Sequence, residues 1–140
     1  MIVVRPRGSH VTTSPSRAVS YLDDGRQVTW ELAKRPHRRI ACDAERLDQA
    51  VPRTLRHKFG VSDPESFFAS WTRAEVSAKL SDIPILVWLQ LHGLDETLSS
   101  ADIRTWVVAD RLIVVTTGAT MRPARPAAEP FEGSTLRWCR

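Results

Sequence analysis

The chain has 140 residues and a mass of 15.8 kDa, which is one ordinary domain with no room for a second sizeable core. Hydrophobic residues make up 42% and charged residues 26%, a composition that excludes disorder throughout. Twenty Lys and Arg against 16 Asp and Glu give a formal charge of +4, so the balance suits anionic partners (a nucleotide, nucleic acid or an acidic protein) without choosing among them.

In chain order, residues 1–17 are rich in Pro, Ser, Thr and Arg and predict a short strand followed by a loop. Residues 18–22 and 26–33 are strand-like runs joined by Asp23-Asp24-Gly25, a strong hairpin signal. A basic turn, Lys34-Arg35-Pro36-His37, leads to a third strand over 38–45, and three strands in succession predict an antiparallel β-meander. A helical half follows. Residues 52–59 form one short helix ended by Gly60, and Ser62-Asp63-Pro64-Glu65 has the Ser-x-x-Glu form of a capping box. Phe67, Phe68, Trp71, Ala74 and Ala78 then recur at helical spacing through about Leu80. Residues 84–92 are apolar nearly all round and read equally as a buried short helix or a strand. The β-branched runs 103–109 and 112–117 pair across Asp110-Arg111 as a final hairpin. The expected organisation is an N-terminal strand and loop over 1–17, one α+β domain over 18–118, and a Pro- and Arg-containing tail over 119–140.

Several function classes lose support at this level. The longest apolar run, 83–91, is interrupted by Pro84 and Gln90 and is too short to span a bilayer. No apolar segment follows Arg5 and Arg7, so a secretory leader is not expected and the cytoplasm is the expected location. Cys42 and Cys139 match no metal or redox spacing, and the four histidines are scattered, which argues against zinc. Basic clusters occur at Arg53, Arg56, His57 and Lys58 and at Arg35, Arg38 and Arg39, but without a helix-turn-helix, RRM or zinc-finger pattern nucleic acid is not the expected partner. Trp30, Trp71, Trp88 and Trp106 fall in regular elements with core packing as their default, whereas Trp138 lies in the polar tail.

Two segments carry candidate chemistry. In the strand over 38–45, alternation puts Ile40, Cys42 and Ala44 on one face and Asp43 and Glu45 on the other. Side-by-side carboxylates repel unless a cation joins them, and Mg²⁺ takes such oxygen ligands. Solvated acids at a strand end are the plainer alternative. In the helix, Glu75 and Lys79 lie four apart on one face, as a surface ion pair or as a third metal oxygen with a phosphate-gripping lysine.

Together these segments resemble the 4′-phosphopantetheinyl transferase superfamily. Ala41-Cys42-Asp43-Ala44-Glu45-Arg46 resembles that family's Gly-φ-Asp-φ-Glu strand, where φ is apolar, and residues 71–79 resemble its Trp-x-x-Lys-Glu-x-x-x-Lys helix, in the expected order. Val19-Ser20-Tyr21-Leu22-Asp23 falls where two-lobed members have a Ser-His-Ser segment, and the resemblance spans roughly 18–80. It implies one lobe of the transferase fold, with Asp43, Glu45 and Glu75 holding Mg²⁺ against the pyrophosphate of coenzyme A. Lys79, Arg38, Arg39 and Tyr21 would contact coenzyme A, and Glu75 or a metal-bound water would take the proton of a carrier-protein serine. An acidic carrier protein is the implied partner, and a lone lobe implies self-association into a homo-oligomer.

The departures from the family pattern are specific. Ala74 stands where the helix lysine is expected, Tyr21 where the histidine is expected, and Leu80-Ser81-Asp82-Ile83-Pro84 replaces a glycine-containing turn. The alternative reading is therefore a catalytically degenerate member acting as a binding or assembly module. A basic nucleic-acid-binding protein is a third and weaker reading.

Overall fold

A computed structural model describes residues 1–33 and 38–121 of the chain. The elements are β1 (Ile2–Arg5), β2 (Arg17–Tyr21), β3 (Gln27–Glu31), β4 (Arg38–Arg46), α1 (Arg53–Phe59), α2 (Pro64–Ser81), α3 (Ile85–His92), β5 (Ala101–Val108) and β6 (Ile113–Met121). The basic turn over 34–37, the tail beyond Met121 with Trp138 and Cys139, and the side chains of Arg38 and Met121 lie outside the described residues. The α+β class expected from the sequence is observed. No helix among the described residues is long and apolar enough to cross a membrane.

The first hairpin forms where its turn residues demand it. Leu22 N donates to Arg26 O at 2.9 Å and Gly25 N to Leu22 O at 3.0 Å, while Gly25 takes a φ of +84° that a side chain would strain. β1 adds to the other edge of β3, with Val4 opposite Val28, giving an antiparallel sheet of order β1-β3-β2. Residues 2–5 are thus an integral strand of the fold.

The expected three-strand meander is not what forms. β4 leaves the hairpin and pairs along its whole length with β6, in a second antiparallel sheet of order β4-β6-β5. The physical reason lies in the side chains of β4: Ala41, Cys42, Asp43 and Ala44 are all buried, so both faces of this strand are covered. Small residues on both faces let one layer approach from each side. Cys42 and Ala44 turn toward the first sheet, where Ala44 joins Leu22, Val28, Ile113 and Val115 in one apolar cluster. Ala41 and Asp43 turn toward α2, where Ala41 packs with Val76 and Leu80.

Helix α2 is the central support. Its N-terminus is capped by Asp63, whose side chain accepts from Ser66 N at 2.9 Å, so the Ser62–Glu65 capping box expected from the sequence does not form. Phe67 and Phe68 meet edge to face at 5.1 Å and are buried, each contributing about 2 kcal/mol by leaving water. At Gly118 of β6 a Cβ would lie 2.5 Å from Val76 Cγ1, so absence of a side chain sets how closely α2 approaches the sheet. Beside it, buried Thr72 Oγ1 reaches buried Thr116 Oγ1 at 2.7 Å and Thr116 reaches half-buried Thr105 at 3.1 Å, a hydroxyl column that fixes helix against sheet.

Three further expectations resolve differently. Residues 85–92 are a helix, α3, but only Trp88 and Leu89 are buried in it, and Leu86 and Leu91 are exposed. Trp106 is 43% exposed on β5 and is not a core residue. β6 continues to Met121, past the point where the tail was expected to begin.

Candidate functional site

β4 and α2 pack face to face, and that packing gathers the four residues the sequence singled out. By strand alternation Asp43 and Glu45 share the face of β4 that looks toward α2, and by helical spacing Glu75 and Lys79 share one face of α2. Lys79 lies at the open edge with its ammonium turned inward. Its Nζ donates to Asp43 Oδ1 at 2.8 Å and to the carbonyl oxygen of Cys42 at 2.9 Å. The Ser20 hydroxyl, from β2, donates to the same Oδ1 at 3.3 Å. Asp43 Oδ2 is buried with no hydrogen-bond partner among the described residues.

The electrostatics follow from burial and like charge. Burial raises the pKa of Asp43 and outweighs the Lys79 ammonium and Ser20 hydroxyl, which pull it down. Glu45 is pushed up to about 7, first by burial and then by Asp43 and other nearby acids including Glu75, with Gln49 Nε2 partly offsetting this by donating to Oε2 at 3.3 Å. Glu75 is raised by burial and by Asp43. Burial alone would lower Lys79, but Asp43 and Glu75 more than compensate and hold it protonated. Asp43 thus acts on both glutamates and on the lysine.

A hard divalent cation fits the chemistry of this donor set. Asp43 raises the pKa of Glu45 and of Glu75, a repulsion that positive charge relieves, and Asp43 Oδ2 is an oxygen with no partner among the described residues. The set is not drawn together in advance: no three His, Cys, Asp or Glu side chains among the described residues are grouped to hold a metal ion. Gathering Asp43, Glu45 and Glu75 on one ion requires side-chain movement. A cavity of about 200 Å³ opens beside the site, lined by Thr13, Ser14, Arg17, Ala18, Ala41 and Lys79 among others. Arg17 and Lys79 place two cations on its wall, though Arg17 is paired with Glu31 at 2.7 Å.

The remaining sequence candidates sit elsewhere. Arg39 pairs with Asp82, just past the C-terminus of α2, beyond Lys79. Tyr21 is 62% exposed, and alternation along β2 turns it to the opposite face from Ser20; its hydroxyl meets Gln27 Nε2 at 3.0 Å. Ala74 is fully buried in the cluster with Phe67, Trp88 and Val114, so that position has no room for a lysine, and Arg73 turns to Ser70 at 3.4 Å. Arg53, Arg56, His57 and Lys58 form a solvated face of α1. Sequence reading missed Ser20 and Gln49 as partners of the acids; Ser20 reaches Asp43 from β2, 23 residues away, and Gln49 lies past the strand end. Cys42 is a buried free thiol whose pKa burial pushes up to about 12, which makes it inert. Comparison of the chain with protein-family models, with curated proteins and with solved structures finds no match.

Proposed function

We propose that the face between β4 and α2 is the coenzyme A site of a Mg²⁺-dependent 4′-phosphopantetheinyl transferase, which moves the phosphopantetheine arm onto a serine of an acidic carrier protein. The observation that carries this reading is the group itself: Asp43, Glu45 and Glu75 facing one another, with the Lys79 ammonium bonded to Asp43 at 2.8 Å. Three partly buried acids on two facing elements are costly to a fold that makes no use of them.

The chain's residues would act as follows. Lys79, on the wall of the adjoining cavity, turns from Asp43 to a phosphate oxygen, and Arg17 supplies a second cation there. Glu75, or a water on the metal, would accept the serine proton. The serine oxygen forms a bond to the phosphorus that carries the pantetheine arm. The bond from that phosphorus to the bridging oxygen breaks, and adenosine 3′,5′-bisphosphate leaves. Asp43, Glu45 and Glu75 would hold Mg²⁺, which would supply neutralisation of the pyrophosphate charge.

A second reading, the same fold acting as a binding or assembly module, is favoured by the buried Ala74, which leaves one expected cation without a place. Incubation with coenzyme A, Mg²⁺ and an apo carrier protein, followed by intact mass of the carrier, separates the two. The transferase adds the phosphopantetheine mass, and Glu75→Ala reduces the rate by about 100-fold or more while its circular dichroism stays native. An unmodified carrier alongside Mg²⁺-dependent coenzyme A binding identifies the module. Equal transfer by wild type and Glu75→Ala refutes the site.

A further inference from the structure

We infer that β5 is a self-complementary dimer edge, joining two copies of this chain into one continuous sheet about a two-fold axis at Ile103. Among the described residues β5 is an outer strand of its sheet, paired only with β6, and an axis at Ile103 pairs its residues 101–105 with those of the second copy. Such an edge presents a row of unpaired backbone donors and acceptors that templates pairing with another strand.

The side chains specify the occupant. Asp102 and Arg104 flank Ile103 on one face, and their side chains are 62% and 64% exposed. They meet each other along the strand at 3.3 Å, which leaves both accessible to a better partner. Antiparallel pairing centred on Ile103 sets Asp102 opposite Arg104 of the second copy and Arg104 opposite Asp102 of the second copy. Directly opposed strand residues lie within about 5 Å, so both acid–base pairs close at once. A slip of two residues either way puts Arg104 against Arg104 or Asp102 against Asp102, so like charge excludes the neighbouring registers.

The axis residue adds an apolar contact. Ile103 is half-buried against the cluster of Ala41, Val76 and Leu80, and pairing with its own copy continues that cluster across the axis. The interface is isologous and closes after two copies, so it yields a dimer and not a fibre. It lies apart from the carboxylates on β4, at the opposite edge of the same sheet, and does not depend on the functional reading above.

Light scattering coupled to size-exclusion chromatography tests this with the full chain. The wild type is expected at twice the 15.8 kDa chain mass, in a concentration-dependent equilibrium. Arg104→Glu sets four acids around the axis and is expected to give the monomer mass. Asp102→Arg sets four arginines there and is expected to do the same. The double variant Asp102→Arg/Arg104→Glu restores opposite charges in reversed order and is expected to restore the dimer. Circular dichroism of each variant confirms that the exposed substitutions leave the fold intact. A monomeric wild type at high concentration overturns the inference. So does a dimer indifferent to both single substitutions, or a folded double variant that stays monomeric.

Discussion

At the scale of single residues, the molecule holds acids where water cannot fully reach them, and this fixes a pH dependence. The folded state raises Glu45 from 4.5 to about 7, so it binds that proton more tightly than the unfolded chain does. The contribution therefore opposes folding as pH rises, growing through the interval from 4.5 to about 7 and levelling above it. In chelator, wild-type Tm is expected to fall between about pH 5 and about pH 8, and Glu45→Gln, which removes the charge and still accepts from Gln49, is expected to fall less. Equal slopes for the two proteins would show that Glu45 is not held above its ordinary pKa. The facing of Asp43 and Glu45 toward Glu75 and Lys79 was legible in the sequence, because strand and helix periodicities are local. Ser20 and Gln49 were not, since their contacts with the acids depend on where β2 and the chain after β4 are packed. Tyr21 and Arg39 illustrate the reverse case: position in a motif does not fix the direction of a side chain, and Asp82 captures Arg39.

At the scale of elements, local signals were reliable wherever caps and turns are encoded in consecutive residues. Pro52 and Gly60 bound α1, Asp23-Asp24-Gly25 makes the hairpin, and the aromatic spacing marks α2. The cap itself shifted by one residue, because Asp63 rather than Ser62 accepts the free backbone N–H. Asp63→Ala is expected to cost about 1 kcal/mol in denaturant unfolding and Ser62→Ala less than about 0.5, an ordering that the Ser62–Glu65 box would invert. The destination of β4 was not legible. Its partner β6 is remote in sequence, and a strand with small residues on both faces carries no clean alternation to say which sheet it joins. Gly118→Ala tests the close contact that results. A methyl group at 2.5 Å from Val76 Cγ1 forces α2 outward, and the expected loss is about 1–3 kcal/mol, measured from the urea midpoint. An unchanged midpoint would mean that the helix does not rest on Gly118.

At the scale of the whole molecule, three layers are stacked: the sheet β1-β3-β2, the sheet β4-β6-β5, and the helices led by α2. The candidate site lies between the second and third layers at the β4 edge, where β2 contributes Ser20 and a cavity gives access to Lys79. This placement explains how the acids are buried enough to raise their pKa values and remain reachable by a ligand. The central claim is that the β4–α2 face binds coenzyme A through a divalent cation, and a thermal-shift titration with coenzyme A, with and without Mg²⁺, tests it most directly. A ligand that binds only the folded state stabilises it by about 2.7 kcal/mol at one hundred times its Kd. The predicted result is a rise in Tm with coenzyme A that requires Mg²⁺ and is lost in Glu75→Ala. An unshifted Tm at saturating coenzyme A with Mg²⁺ present would contradict the claim.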